Sequence, residues 1–503
     1  MLNNFLKKQE YTKLKLLQYV GNKQKTNIQE LMITFNLSRA SIKRSIIEIN
    51  IFLDSSPDLS LCNIIQDQLF NFSLETSSEQ NLTTIYHRYL DYLLCSSLSF
   101  QIMIIILNNT SISVNKLSSL LYVSNNHCYK IIDKLNKYLK FYQLTILIQN
   151  NRVEIEGEEH NIRFMYWNLL FSGWHNINWP LKRSTHTLIK NSFSIYRKKY
   201  LLNKPLSTKV STDFYLAILY ERLNKGHYQT IFKTLSTSII QAFSDVNDIT
   251  SALNNFPMNT PTIKNKEIEL NERKAFNLIM RVIDSEIDSS DNKIDIGKKL
   301  LKLNNPVTLF HKKLNTDFIS IYFKKDVENL LPIFMYYTVL YHQFSFTYSY
   351  SQTDVINKNP LNNGKLIHMT SDFSLTITNF IRIHAETYPT FSFSLSQATL
   401  EILGLLHYSL YISYFKDSLS IFVHYSKSPI GKDFIKGKLR HIFNEKSLTF
   451  TSDSEQADII ISDSIEAYKA TSHTFFLEDI YNVTLWKELY AFIQSLLFEL
   501  YHL

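Results

Sequence analysis

The apolar positions of this chain are written twice near its start. Ile28, Leu31, Phe35, Leu37, Ile42, Ile46, Ile49 and Leu53 recur, without a gap and 86 positions later, as Val114, Leu117, Leu121, Val123, Cys128, Ile132, Leu135 and Leu139. In each copy the spacing predicts a short amphipathic helix, a tight turn and a longer amphipathic helix, because steps of three and four residues keep one face inward at the helical period. Ser38 and Ser124 open the longer helices and suit the N-cap, where a hydroxyl accepts from an otherwise unpaired backbone N–H. This is the layout of a helix-turn-helix, whose second helix enters the DNA major groove.

The same pattern leaves Arg39, Ser41, Lys43 and Arg44 outward in the first copy, and Asn125, Asn126, His127, Tyr129, Lys130 and Lys134 in the second. Arg and Lys match guanine edges and phosphates, and Asn matches adenine edges. After the second copy, Thr145–Gln149 and Arg152–Glu156 alternate like strands around Asn150-Asn151, which can turn the chain. A hairpin directly after a reading helix is a wing, and Arg152 joins the candidate DNA contacts. Gly157 ends the second strand. The reading is a helix-turn-helix domain over 1–60, a helical connector over 61–100 and a winged helix-turn-helix domain over 101–160.

Beyond this the pattern turns predominantly helical. Thr212–Asn224, Leu270–Ile287, Val327–Phe344 and Phe373–Ala385 read as helices, and Leu395–Phe415 as a buried closing helix. Ser251–Lys266 reads as a linker and Asn357–Gly364 as a turn-rich loop. The last segment changes character. Ser418–Tyr425, Ser447–Thr451, Asp458–Asp463 and Thr474–Leu477 read as strands, alternating in part with helices over Lys432–Phe443 and Trp486–Leu503. That order predicts a small α/β domain with a largely parallel sheet. The fold class is therefore multidomain and mainly α, with two helical domains over 161–268 and 269–416 and an α/β domain over 417–503.

Charge sharpens the picture. Residues 1–53 carry nine Lys or Arg against three acids, a net of +6, and residues 101–155 carry six against two, a net of +4. Residues 381–503 carry ten bases against fourteen acids, a net of −4. A local basic excess is the footprint of a polyanionic partner, so the N-terminal part is expected to meet DNA and the C-terminal part is not. Cys62, Cys95 and Cys128 form no C-x-x-C pair, which disfavours a disulfide framework and a zinc site. No apolar run approaches the ~20 residues of a membrane helix, and a cytosolic protein without cofactor, metal or membrane partner is expected. No nucleotide-binding, metalloprotease or Ser/His/Asp signature stands out, so an enzyme is the least supported class.

Helix-turn-helix, winged helix-turn-helix, two helical domains and a small α/β domain, in that order, resemble the Mga/AtxA family of bacterial transcription regulators. The local text that carries the resemblance is RASIKRSIIEINIFL, NNRVEIEGEEHNIRFMYWNLLF and SIFVHYSKSPIGKDFIKGKL. The resemblance implies an activator of virulence or carbohydrate-linked genes. It implies that the helical domains are of the kind called PRD, which phosphotransferase-system phosphocarriers phosphorylate on histidine. It also implies that the last domain is similar to enzyme IIB of sugar transport and pairs chains into a homodimer or higher oligomer. One departure is that Tyr425-Ser426-Lys427-Ser428 stands where a working enzyme IIB has its Cys. An unactivated serine hydroxyl is a poor nucleophile beside a thiolate, so this domain is not expected to relay phosphate.

His227, His186 and His342 are the candidate phosphoacceptors, with His227 favoured by its place after the helix YLAILYERLN. His407 lies on an apolar face and reads as a core residue. The stripe Trp486, Leu489, Phe492, Leu496, Leu497 and Leu500 suits either a two-fold interface or its own sheet. The alternatives are a phosphotransferase-linked interaction or phosphoacceptor protein that does not bind DNA, and an RNA-binding antiterminator. The helical start disfavours the latter.

Overall fold

The computed structural model describes residues 4–501 except 24, 69–70, 77–80, 110, 175–178, 182, 231, 251–252, 254–265, 324–326, 349–371, 388–394, 415–417, 445–446 and 465–471. Most of the expected linker at 251–266 and all of the loop at 357–364 lie outside the described residues. Two compact units form. The first contains Met1–Lys313, Leu331–Ile367 and Thr390–Ile402, and the second contains Leu314–Leu330, His368–Pro389 and Leu403–Leu503. The division falls within the 269–416 stretch that the pattern reads as one helical domain.

In the first unit the repeated pattern becomes two copies of one fold. The first copy runs α1 (Lys8–Asn22), β1 (Thr26–Asn27), α2 (Ile28–Phe35), α3 (Arg39–Ser55), β2 (Asn63–Gln66) and β3 (Asn71–Glu75). After α4 (Leu82–Cys95) the second copy repeats it as α5 (Leu98–Asn108), β4 (Ile112–Ser113), α6 (Val114–Leu120), α7 (Asn125–Leu139), β5 (Thr145–Gln149) and β6 (Arg152–Glu156). The sheets match, with antiparallel orders β1-β3-β2 and β4-β6-β5. The first copy thus has a wing too. The expectation of a domain ending at 60 and a helical connector over 61–100 is corrected: β2 and β3 complete the first domain, and only α4 and the start of α5 are helical there.

The repeat extends to details that apolar spacing does not show. Asn27 and Ser113 cap α2 and α6, and Ser38 and Ser124 cap α3 and α7 as expected. The turns pass through left-handed backbone at Asn36 (φ 50°) and Tyr122 (φ 55°). Asn tolerates that region better than Tyr, whose bulk makes a positive φ costly. The wing turn at Asn150-Asn151 takes positive φ at both residues, as a two-residue hairpin turn requires.

The rest of the first unit is helical. It comprises α8 (Glu159–Trp174), α9 (Arg183–Ser192), α10 (Ser194–Tyr196), α11 (Leu206–Asn224), α12 (Thr237–Ser244), α13 (Lys266–Ile283), α14 (Ser290–Lys302), the first half of α15 (Pro306–Tyr322) and most of α16 (Val327–Tyr348). A buried ion network ties α8, α11 and α13. Arg163 donates to Glu272 at 2.6 and 2.9 Å and to Glu159 at 2.8 Å, and Arg222 donates to Glu159 at 2.6 Å. Burial opposes Arg163's charge, but the two carboxylates outweigh it and hold its pKa above the usual guanidinium range. α14 and α16 approach so closely that a Cβ on Gly297 would collide with the Pro332 carbonyl oxygen.

The second unit contains α17 (Asp372–Thr387), most of α18 (Gln397–Tyr414) and the C-terminal α/β domain. His407 is buried between the Leu403 carbonyl and Asn315 Oδ1, at 2.8 and 3.0 Å, as its apolar setting suggests. The α/β domain has β7 (Leu419–His424), α19 (Gly431–Ile442), β8 (Leu448–Thr451), β9 (Ile459–Ser462), β10 (His473–Phe476) and α20 (Val483–Tyr501). Its sheet is fully parallel in the order β10-β9-β7-β8. Trp486, Leu489, Leu496 and Leu497 of α20 are buried in this domain's own core with Ile421, Val423 and Ile461. That decides between the two readings of the α20 stripe: it packs onto its own sheet and is not a free two-fold surface.

Candidate nucleic-acid interface

Each reading helix is held by three sets of contacts. The N-cap serine fixes its start. The apolar face fixes its rotation, with Ile42, Ile46, Ile49 and Leu53 buried in α3 and Cys128, Ile132, Leu135 and Leu139 buried in α7. One asparagine then locks the wing to the helix. Asn50 donates to the Ile64 carbonyl and accepts from the Ile64 N–H, both at 2.9 Å. Asn136 does the same to Ile146 at 3.0 and 2.7 Å. Asn50 and Asn136 are 86 positions apart, whereas Ile64 and Ile146 are 82 apart. The loop after α3 is therefore longer than the one after α7, and this shift hid the first wing from an ungapped comparison. The paired asparagines were the signal that could have revealed it.

The outward residues are exposed as the pattern predicts: Arg39, Ser41, Lys43 and Arg44 on α3, and Asn125, Asn126, Tyr129, Lys130 and Lys134 on α7. They are not equivalent. Ser41 donates its backbone N–H to Ser38 Oγ at 3.2 Å, and its hydroxyl lies 2.9 Å from the same oxygen, so it serves the cap. Asn125 donates to Asn115 Oδ1 at 2.8 Å and braces α7 against α6. Arg44 is held along the helix by Glu48 at 3.0 Å, and Lys13 of α1 also pairs with Glu48. These bases, the first of them Lys13, keep the Glu48 carboxyl below its usual range despite some burial. The arrangement presents two capped, wing-braced helices with cationic outer faces, suited to a duplex.

Arg152 lies apart from the reading helices, on β6. It lines a groove of about 880 Å³ with Glu154 and Glu156 of the wing, Glu158 at the start of α8, and Arg222 and His227 at the end of α11. Partial burial, and then Arg222, push the His227 pKa down. His186 packs against the Trp179 ring at 4.4 Å between centroids, and burial, then Lys190, lowers its pKa. His342 does not meet the accessibility expected of a phosphoacceptor. It is 3% exposed, its Nδ1 lies 2.8 Å from His311 Nε2, and burial pushes its pKa down to about 3.

In the C-terminal domain the loop after β7 holds a carboxylate of its own chain. Ser426 donates its N–H and hydroxyl to Asp463 at 2.8 and 3.0 Å, and Lys427 donates its N–H at 3.1 Å. Burial raises the Asp463 pKa, but these donors outweigh it and hold it below the ordinary value. Among the described residues no group of three or more His, Cys, Asp or Glu could hold a metal ion, and no single helix is long and apolar enough to cross a membrane.

Comparison with known proteins agrees with this geometry. Residues 1–68 and 79–170 match the Mga helix-turn-helix domain, a span that takes in the second winged copy, the first apart from β3, and the start of the helical region. A Streptococcus pneumoniae serotype 4 protein named "Putative trans-acting regulator" is 20% identical over 233 residues, 46% of this chain. The match spans only 45% of that protein's own length. With its doubled winged helix-turn-helix and these two matches, the N-terminal third carries the Mga helix-turn-helix domain and the chain is similar to Mga-like regulators.

Proposed function

We propose that this chain is a DNA-binding regulator of transcription that grips one duplex with two winged helix-turn-helix domains. The observation that carries the reading is the doubled fold itself. Two copies, each with an N-capped helix braced by an asparagine to its wing, both turn a cationic face to solvent. Arg39, Lys43 and Arg44 contact one groove segment, and Asn126, Tyr129, Lys130 and Lys134 another. Asn125 supports the second from behind. Phosphate contacts release counterions, so binding weakens with salt in proportion to their number.

The test is binding of an AT-rich duplex across a salt series. The native chain should lose affinity steeply. Arg39→Ala/Lys43→Ala/Arg44→Ala and Lys130→Ala/Lys134→Ala should each flatten the log–log slope by about one unit per lost phosphate contact. A native chain that binds no DNA at low salt sinks the reading and favours the phosphotransferase-linked interaction protein.

The regulatory part of the proposal is that histidine phosphorylation by phosphotransferase-system phosphocarriers tunes the sign or strength of activation, and that His227 is the acceptor. Its support is position. His227 shares a groove with the second wing, where a phosphoryl charge of about −1.5 to −2 would face Glu154, Glu156 and Arg152. His186 is the second candidate. Incubation with the general phosphotransferase proteins and phosphoenolpyruvate, followed by mass mapping, should locate phosphate on His227. A chain that takes up none overturns this part and leaves the DNA reading intact. Pairing of chains through the C-terminal domain completes the proposal, with Ile430, Tyr481 and Val483 among its exposed apolar side chains.

A further inference from the structure

The two reading helices share a frame but not a chemistry. At 3.6 residues per turn, Ala40 and Ile51 fall within about 20°, and Ile47 within about 40°, of the direction opposite the buried face of α3. All three are exposed, Ile47 at 58% and Ile51 at 61%. Lys43 and Arg44 flank them. The positions 86 residues on are Asn126, Asp133 and Lys137, all polar. The first copy alone therefore carries an apolar ridge along the centre of a cationic helix face.

We infer that α3 reads thymine methyl groups in the major groove through Ala40 and Ile47, between phosphate contacts made by Lys43 and Arg44. This rests on the DNA-binding reading above and adds its specificity. Charge complementarity selects the occupant. The flanking bases call for a polyanion, and the only apolar feature that a duplex offers in its major groove is the thymine C5-methyl, which Ala and other small apolar groups contact. Base contacts centre on the N-terminal part of a reading helix, where Ala40 lies, and Ile47 continues the same face about two turns further on. Ala40 is small enough to let the helix backbone approach the groove floor. The second helix, with Asn126 at the place of Ala40, is equipped for hydrogen bonds to base edges instead.

The experiment uses the full chain, an AT-rich duplex and the same duplex with every thymine replaced by deoxyuridine, which lacks only the methyl. At fixed salt the native chain should bind the deoxyuridine duplex about fourfold more weakly per methyl contacted. Ile47→Ala and Ile51→Ala alter exposed side chains, so folding should be kept. Ile47→Ala should weaken binding to the thymine duplex and bring the ratio between the two duplexes toward one. Lys130→Ala/Lys134→Ala should weaken both duplexes alike and leave the ratio unchanged. A native ratio of one overturns the inference while leaving DNA binding in place. So does a ratio that survives Ile47→Ala and Ile51→Ala, which would give the ridge to another partner. Absence of binding to either duplex overturns both readings together.

Discussion

Asn136→Ala should free the second wing and leave the first untouched. Two hydrogen bonds to Ile146 are lost, at 3.0 and 2.7 Å. Ile146 is a buried strand residue, so its N–H and carbonyl lose partners where water reaches poorly. An unsatisfied buried group costs about 1–3 kcal/mol, and some relaxation of the hairpin will recover part of two such losses. A net loss of about 2–3 kcal/mol corresponds to roughly 30–150-fold in the local opening equilibrium. A 503-residue chain of several domains does not unfold in one step, so the assay is amide hydrogen exchange by mass spectrometry. Peptides covering 145–156 should exchange faster by about that factor, while those covering 63–66 and 71–75 keep their native rates. Asn50→Ala should reverse the pattern. Asn136→Asp, which still accepts from Ile146 but cannot donate, should fall between. Unchanged exchange in 145–156, or both wings loosening together, would refute the idea that each asparagine is a separate clamp.

Two further outcomes follow from charged contacts. Arg163→Met leaves Glu272 buried without its partner and should cost about 3–5 kcal/mol, seen as a lower first transition in calorimetry; adding Glu272→Leu should recover much of it. Glu30 is held at about 2, below its ordinary 4.5, first by Lys23 and then by Tyr19 and Thr26. Its folded pKa is the lower one, so the stability it lends is complete above about pH 4.5 and is lost as pH falls toward 2. The difference in thermal stability between the native chain and Glu30→Gln should therefore shrink over that window and be constant above it.

Much of the reading surface was legible because it depends on local rules. The period of Ile42, Ile46, Ile49 and Leu53 fixed which side of α3 faces inward, and so which residues face out. Ser38 and Ser124 marked the helix starts because a serine hydroxyl directly before an amphipathic run can accept from one of its first backbone N–H groups. The strand Ser418–Tyr425 followed by the helix Lys432–Phe443 and then further strands announced a parallel sheet, since parallel neighbours need a crossover such as a helix.

Other features were decided by tertiary contacts between residues distant in sequence. The first wing depends on Asn50 reaching Ile64 across a loop of different length from its counterpart, and apolar periodicity does not register a hydrogen bond between a side chain and a remote strand. His342 was a candidate beside the favoured His227 in the sequence, but packing placed the first against His311 in the core and the second in an open groove. The stripe on α20 was equally apolar under either reading, and the position of its own sheet determined that it is buried. The sequence by itself determined which faces are apolar and which are charged, because that is a property of residue order within one element. Only the folded chain decided what each face meets, because that is set by which distant segments the core brings together.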